Sequence, residues 1–254
     1  MNNKEIIRRN FSRHAYSYDY YCGVQRKVAH KLLERINGKR ACRILEIGCG
    51  TGNYTALLRR RYKEARLEAV DISEKMIEVA KKKLKKSGVR FSIGDAPALS
   101  NSNSFDLITS NACFQWLADL EGSLTKYKKL LKRKGAIAFT VFGPLTFHEL
   151  NIALRDVCAN SVAAERFMSL LKLKEILGKN FKKISIVEKK YRENYRSLTE
   201  LLFKIKYSGI RGSVAQNNII FTRKILRRLE NTYGQRFGAI RATYQVFFCV
   251  GFKP

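Results

Sequence analysis

The 254-residue chain is long enough for one large domain or two small ones with a substantial core. Its 50 Lys and Arg against 21 Asp and Glu give a formal charge of +29, while 45% hydrophobic residues argue against wholesale disorder. No apolar run reaches the roughly 18 residues that a membrane-spanning helix needs, which excludes an integral helical membrane protein, and MNNKEIIRRN lacks the apolar stretch of a secretory signal, so export is not expected.

The first 40 residues read as helical, with an aromatic start. Phe11, Tyr16, Tyr18, Tyr20 and Tyr21 precede VQRKVAHKLLERI, where Val24, Val28, Leu32 and Ile36 recur every fourth residue. Strand-length apolar runs then alternate with helical patterns. Strands are expected at 43–48, 66–71, 89–95, 105–111 and 135–143, with helices after the first, second and fourth. In the second of these helices Met76, Ile77, Ala80 and Leu84 form one arc; Lys81, Lys82, Lys85 and Lys86 form the opposite one. Many of the lysines therefore sit on the solvated faces of amphipathic helices. The alternation predicts an α/β fold with a mostly parallel sheet covered by helices on both faces.

From 144 the rhythm changes. Thr146 and Glu149 have capping-box spacing and predict a helix to about 159; helical pieces follow at 163–179. A strand is expected at 182–191. Ser197 and Glu200 form a second capping-box pair before TELLFKIKY. A basic helix at 221–233 precedes a last strand at 242–252. With no linker and no repeat, the chain reads as a single domain, 1–254. Its parts are an N-terminal helical lid segment (1–40), a core (41–143), a helical insertion or substrate lid with the sixth strand (144–235) and a final strand (241–254).

The six cysteines share no C-x-x-C spacing and the three histidines are scattered, so no metal site is expected. Such cysteines read as reduced thiols of a cytoplasmic protein.

The chemistry concentrates in ILEIGCGTG, residues 44–52. A buried strand ends in Gly48-x-Gly50-x-Gly52 and a helix begins. Glycines permit a tight turn and close approach of a ligand to the backbone. The free N–H groups at a helix start favour a carboxylate or phosphate. A dinucleotide fingerprint would need glycine at 53, which is Asn53. Asp71 ends the next strand at a spacing suited to accepting hydrogen bonds from ribose hydroxyls. Gly94-Asp95 ends the third strand and Asn111 the fourth.

ILEIGCGTG, Asp71, Gly94-Asp95 and FDLITSNACFQW, in that order, resemble the S-adenosylmethionine site of the class I methyltransferases. The resemblance implies a Rossmann-like, seven-stranded sheet with the cofactor at the carboxyl ends of the first strands. It implies that Glu46, Gly48, Gly50 and Gly52 hold the methionine part, and that Asp71 binds the ribose with Ile72 and Met76 beside the adenine. By the same resemblance Asp95 and Ala96 flank the adenine amino group, and Asn111 and Phe114 close the sulfonium end.

NFSRHAYSYDYYCGVQRKVA, SNACFQWLADLEGSL and GAIAFTVFGPLTFHEL are similar to a narrower family, the malonyl-acyl-carrier-protein O-methyltransferases of biotin synthesis; FKIKYSG and ATYQVFFCVGF match it more loosely. The family implies methylation of the free carboxylate of a malonyl thioester carried by an acidic acyl carrier protein. Four residues are candidates to meet that carboxylate: Tyr18, Lys206, Gln115 and Trp116. The first half of the chain also resembles trans-aconitate methyltransferases, so a small carboxylic acid stays open as substrate, as does RNA. A nonenzymatic, basic nucleic-acid-binding protein is the third reading. The intact glycine turn with Asp71 and Asp95 argues against it. Asn111-Ala112-Cys113-Phe114, in place of an N/D-P-P-aromatic tetrad, argues against methylation of base amino groups.

Overall fold

The computed structural model describes residues 3–36, 40–94, 105–208 and 221–254. Five parallel strands form one part of its sheet: β1 (Arg43–Ile47), β2 (Arg66–Asp71), β3 (Arg90–Ile93), β4 (Phe105–Ser110) and β5 (Leu131–Phe142). β6 (Lys182–Asn194) and β7 (Arg241–Phe252) complete it, with β7 inserted antiparallel between β5 and β6. The order is β3-β2-β1-β4-β5-β7-β6. The chain reverses direction across the sheet between β1 and β4, and the crevice above their carboxyl ends is where such sheets bind ligands.

The N-terminal helices are α1 (Asn3–His14), α2 (Tyr18–Tyr21) and α3 (Gly23–Arg35). Those after the first, second and fourth strands are α4 (Asn53–Arg61), α5 (Glu74–Lys83) and α6 (Leu120–Leu130). The remainder are α7 (His148–Cys158), α8 (Leu170–Asn180), α9 (Leu198–Tyr207) and α10 (Arg223–Phe237). One face of the sheet is covered by α3, α4, α7, α9 and α10, through Val28, Leu58, Leu154, Leu201 and Leu229. The other is covered by α6 and α8, through Leu124, Tyr127, Leu173 and Leu177. α8 thus buries its apolar stripe in the sheet core. Among the described residues, no helix is long and apolar enough to cross a membrane.

Two local expectations need correction. β5 starts at Leu131, not 135, because Leu131 pairs with Phe105 ahead of a register shift. Thr146 and Glu149 form no capping box. Phe147 takes the left-handed conformation at the N-terminus of α7, and the Glu149 carboxylate turns to β7. There it accepts from Thr243 N at 2.9 Å and Thr243 Oγ1 at 2.6 Å. Glu149 is 1% exposed, so these bonds weld α7 to the sheet. Glu149→Gln keeps one acceptor oxygen and strands one donor. We expect a loss of about 1–2 kcal/mol, read as a melting temperature about 3–6 °C lower. The second pair caps its helix on one side only: Ser197 Oγ accepts from Glu200 N at 3.1 Å, while Glu200 Oε2 accepts from Arg196 N at 2.7 Å rather than from Ser197 N.

Candidate functional site

The site is built on the turn after β1. Gly48, Gly50 and Gly52 all have positive φ, at 70°, 53° and 83°. The turn is pinned to β2: Gly48 N donates to Val70 O at 2.8 Å and Cys49 N to the same oxygen at 3.1 Å. The Asp71 carboxylate fixes the next residue. Its Oδ2 accepts from Gly50 N and its Oδ1 from Ser73 N, both at 2.9 Å. Each oxygen thereby uses one acceptor position and retains another. Burial raises the Asp71 pKa, against the opposing hydrogen bonds from Ser73 and Gly50.

Asp71 faces a cavity of about 330 Å³. Ile72, Met76 and Gly94 line it on the β2 and β3 side; Asn111, Ala112, Cys113 and Trp116 line it after β4. Phe11 and Tyr18 wall it from the N-terminal segment. A smaller cavity of about 40 Å³ continues beside it, with Glu46, Tyr54 and Gln25 in its wall. Tyr18, Gly48, Gly50 and Asn111 border both.

This arrangement fits S-adenosylmethionine. Glu46 is 1% exposed, and its Oε2 is buried without a hydrogen-bond partner. A buried, unpaired acceptor is costly, and the ammonium of an amino-acid tail would satisfy it. The second acceptor positions of Asp71 suit two ribose hydroxyls. A side chain at Gly48 would fill the space between the turn and Cys113.

Burial pushes the Glu46 carboxyl up to about 8, with the Asp71 charge adding to the rise. Between its ordinary value of 4.5 and about 8, the native chain holds a proton that the unfolded chain has released. Stability from this group is therefore present at low pH and falls as pH rises through that window. Glu46→Gln should flatten the slope. Urea denaturation at pH 5 and pH 8 should show the wild type losing on the order of 3 kcal/mol more than the variant.

Of the residues singled out in the sequence, Glu46, Gly48, Gly50, Asp71, Ile72, Met76, Asn111, Tyr18 and Trp116 border these two cavities. Asp95 and Ala96 lie outside the described residues. Gly52 is behind the turn, where an added Cβ would meet Ala80 at 3.2 Å. Three others border neither cavity. Phe114 is a core residue, stacked on Tyr127 with centroids 5.6 Å apart and tilted on Phe139 at 4.7 Å. Gln115 is absent from the cavity wall and donates to Ala112 O at 2.8 Å. Lys206 places its ammonium 5.3 Å above the ring of Tyr207, away from the cavity wall. In the same segment it is Lys204 that turns inward, paired with Glu193.

Sequence reasoning missed Phe11 and Cys113 as wall residues. Phe11 packs against Tyr18 and Trp116, with centroids 6.3 and 6.1 Å away. Its place in the aromatic N-terminal cluster was the available signal. Cys113 carried none.

A family model described as a methyltransferase domain matches residues 44–135. Phosphoethanolamine N-methyltransferase 2 of Haemonchus contortus, solved with S-adenosyl-L-methionine, superposes with a TM-score of 0.65. At 19% identity, over 100% of this chain and 60% of that one, it establishes the fold alone. Fold, glycine turn and acidic strand end define a class I S-adenosylmethionine-dependent methyltransferase. Two relatives carry the assignment further. The malonyl-[acyl-carrier protein] O-methyltransferase of Acetivibrio thermocellus is 34% identical, over 100% of this chain and 95% of its own. That of Priestia megaterium is 34% identical over 96% of both. The chain belongs to the malonyl-[acyl-carrier protein] O-methyltransferase family.

Proposed function

We propose that this enzyme transfers the methyl group of S-adenosylmethionine to the free carboxylate of a malonyl thioester on an acyl carrier protein, an early step of biotin synthesis. The observation that carries the reading is full-length similarity to enzymes of that name, joined to a cavity whose acidic residues suit the methyl donor. The acidity of the carrier and a cytoplasmic location belong to the same proposal. A surface of charge +29 would speed encounter with an acidic partner.

When bound, S-adenosylmethionine supplies an electrophilic methyl on a sulfonium. The acceptor carboxylate is already ionised at pH 7, so the chain needs no general base. Its task is to hold one carboxylate oxygen in line and to exclude water. Phe11 and Trp116 supply an apolar wall for that purpose. Tyr18 supplies a hydroxyl. Burial raises its pKa well above the usual tyrosine range, so the phenol stays protonated and can donate to a carboxylate. Methylation removes a charge that would be costly in an apolar elongation site, and the ester resembles the end of a fatty acyl chain.

Tyr18→Phe removes the hydroxyl with little change in volume. It should lower kcat/KM by about tenfold, equivalent to roughly 1.4 kcal/mol, with cofactor affinity little changed. Single-turnover rates within twofold of wild type would remove Tyr18 from the mechanism. The function itself is tested by offering malonyl-carrier protein, malonyl-coenzyme A, trans-aconitate and tRNA in parallel with labelled donor. Base-labile label on the malonyl thioesters is the expected result. Preferential labelling of trans-aconitate or tRNA would overturn the reading.

A further inference from the structure

Tyr18 is held in the cavity wall by a helix that has little to hold itself. α2 is four residues long, none of them lies in the hydrophobic core, and its N-cap Ser17 makes no side-chain capping bond. Its aromatic anchor is Tyr21, stacked on Tyr207 of α9 at 5.0 Å. The stronger tie is polar and comes from the residue next to Tyr18. Asp19 Oδ1 accepts from Thr51 Oγ1 at 2.6 Å and from Asn53 Nδ2 at 2.9 Å. Asp19 Oδ2 accepts from Lys83 Nζ at 2.6 Å, and Lys83 donates again to Asn53 Oδ1 at 2.7 Å.

These partners come from the elements that shape the cofactor site. Thr51 lies inside the glycine turn, Asn53 begins α4, and Lys83 ends α5. One carboxylate therefore joins the N-terminal segment to both flanks of the turn. Burial alone would raise the Asp19 pKa, but the bonds from Lys83, Thr51 and Asn53 outweigh it and hold the pKa below the usual range. Its charge is then constant across neutral pH. A second seam, Ser12 Oγ to Ser73 Oγ at 2.8 Å and Tyr16 to Glu78 at 2.9 Å, fastens the preceding stretch to α5.

We propose that Asp19 is a positioning residue: its carboxylate latches α2 to the glycine turn and to α5, and so seats the Tyr18 phenol over the cofactor cavity. The latch rests on the proposed role of Tyr18 for its catalytic consequence, but not for its effect on α2. Because the contact links the wall to the turn, it couples a filled cofactor site to a closed N-terminal segment. Asp19 touches neither cofactor nor substrate in this scheme and acts through its neighbour.

The test uses the full chain with Asp19→Ala, Asp19→Asn and Lys83→Met. Lys83→Met breaks the ion pair from the partner's side and guards against a misfolded Asp19 variant. Chymotryptic cleavage after Tyr20 and Tyr21, at saturating S-adenosylhomocysteine, reads the opening of α2 directly. Asp19→Ala should be cut about tenfold faster and bind S-adenosylhomocysteine about tenfold more weakly by calorimetry, as loss of charge-assisted bonds predicts. Asp19→Asn, which retains one acceptor oxygen, and Lys83→Met should fall between it and wild type. The melting temperature should move little, because α2 contributes nothing to the core. Turnover should drop in Asp19→Ala but hardly further in a Tyr18→Phe background, since coupled residues are not additive. Cleavage and affinity within twofold of wild type would overturn the latch. So would a large fall in melting temperature with unchanged cleavage. A silent Tyr18→Phe beside a readily cut Asp19→Ala would uphold the latch and remove Tyr18 as carboxylate holder.

Discussion

Gly48→Ala is expected to lose measurable binding of S-adenosylmethionine and to destabilise the fold. Two costs add at this position. The backbone φ of 70° is left-handed, which a residue with a Cβ adopts at about 1–2 kcal/mol. The added methyl would also stand 2.3 Å from Cys113 Sγ and 2.6 Å from Cys113 Cβ, where overpacking costs about 1–3 kcal/mol. The turn cannot slide away, because Gly48 N is tied to Val70 O at 2.8 Å. Together these amount to roughly 2–5 kcal/mol, or a melting temperature about 5–15 °C lower. Gly50→Ala separates the causes. Its φ is 53°, but its Cβ would meet nothing within 4 Å, so only the backbone cost applies. Scanning calorimetry should rank Gly48→Ala well below Gly50→Ala. Adding Cys113→Gly to Gly48→Ala should restore the packing share and leave the backbone share. Equal melting temperatures for the two alanine variants would show that Cys113 yields freely.

Local chemistry made the core of the site legible. The glycine turn and Asp71 at the end of the next strand are one helix and one strand apart, a spacing that places them in one crevice; Glu46 entered through the resemblance to the class I methyltransferases. β2 falls at 66–71, where its apolar pattern predicts it. What the sequence did not disclose depends on partners far along the chain. The Thr146/Glu149 capping box fails because Thr243 captures the carboxylate from β7. Phe114, one residue past a cavity-lining cysteine, turns inward onto Tyr127 and Phe139. Lys204 and Lys206 lie two apart on one helix, and only the fold decides that Glu193 claims the first. Asp19 reads as an ordinary acid beside a tyrosine until Thr51, Asn53 and Lys83 converge on it. Periodicity reports which face of an element is apolar; it carries no record of which remote donor a carboxylate meets.

The second large effect concerns Asp71. Its carboxylate is oriented before any ligand arrives, by Gly50 N on one oxygen and Ser73 N on the other, each at 2.9 Å. A preorganised acceptor spends little ordering entropy on binding. Asp71→Ala should therefore weaken both S-adenosylmethionine and S-adenosylhomocysteine by about 2–3 kcal/mol, roughly 30- to 150-fold, through lost charge-assisted hydrogen bonds to the ribose. Asp71→Asn, with one acceptor oxygen, should lie between. The alanine variant also releases Gly50 N, so part of its loss could arise from a relaxed turn rather than from the ribose. A 2′-deoxy analogue of S-adenosylhomocysteine divides the two. Wild type should bind it more weakly than the parent compound, whereas Asp71→Ala should bind the two alike, because the group the missing hydroxyl would meet is already gone. Calorimetry in which Asp71→Ala still prefers the hydroxylated ligand by the wild-type margin would assign the ribose to another acceptor and leave Asp71 as the strut of the glycine turn.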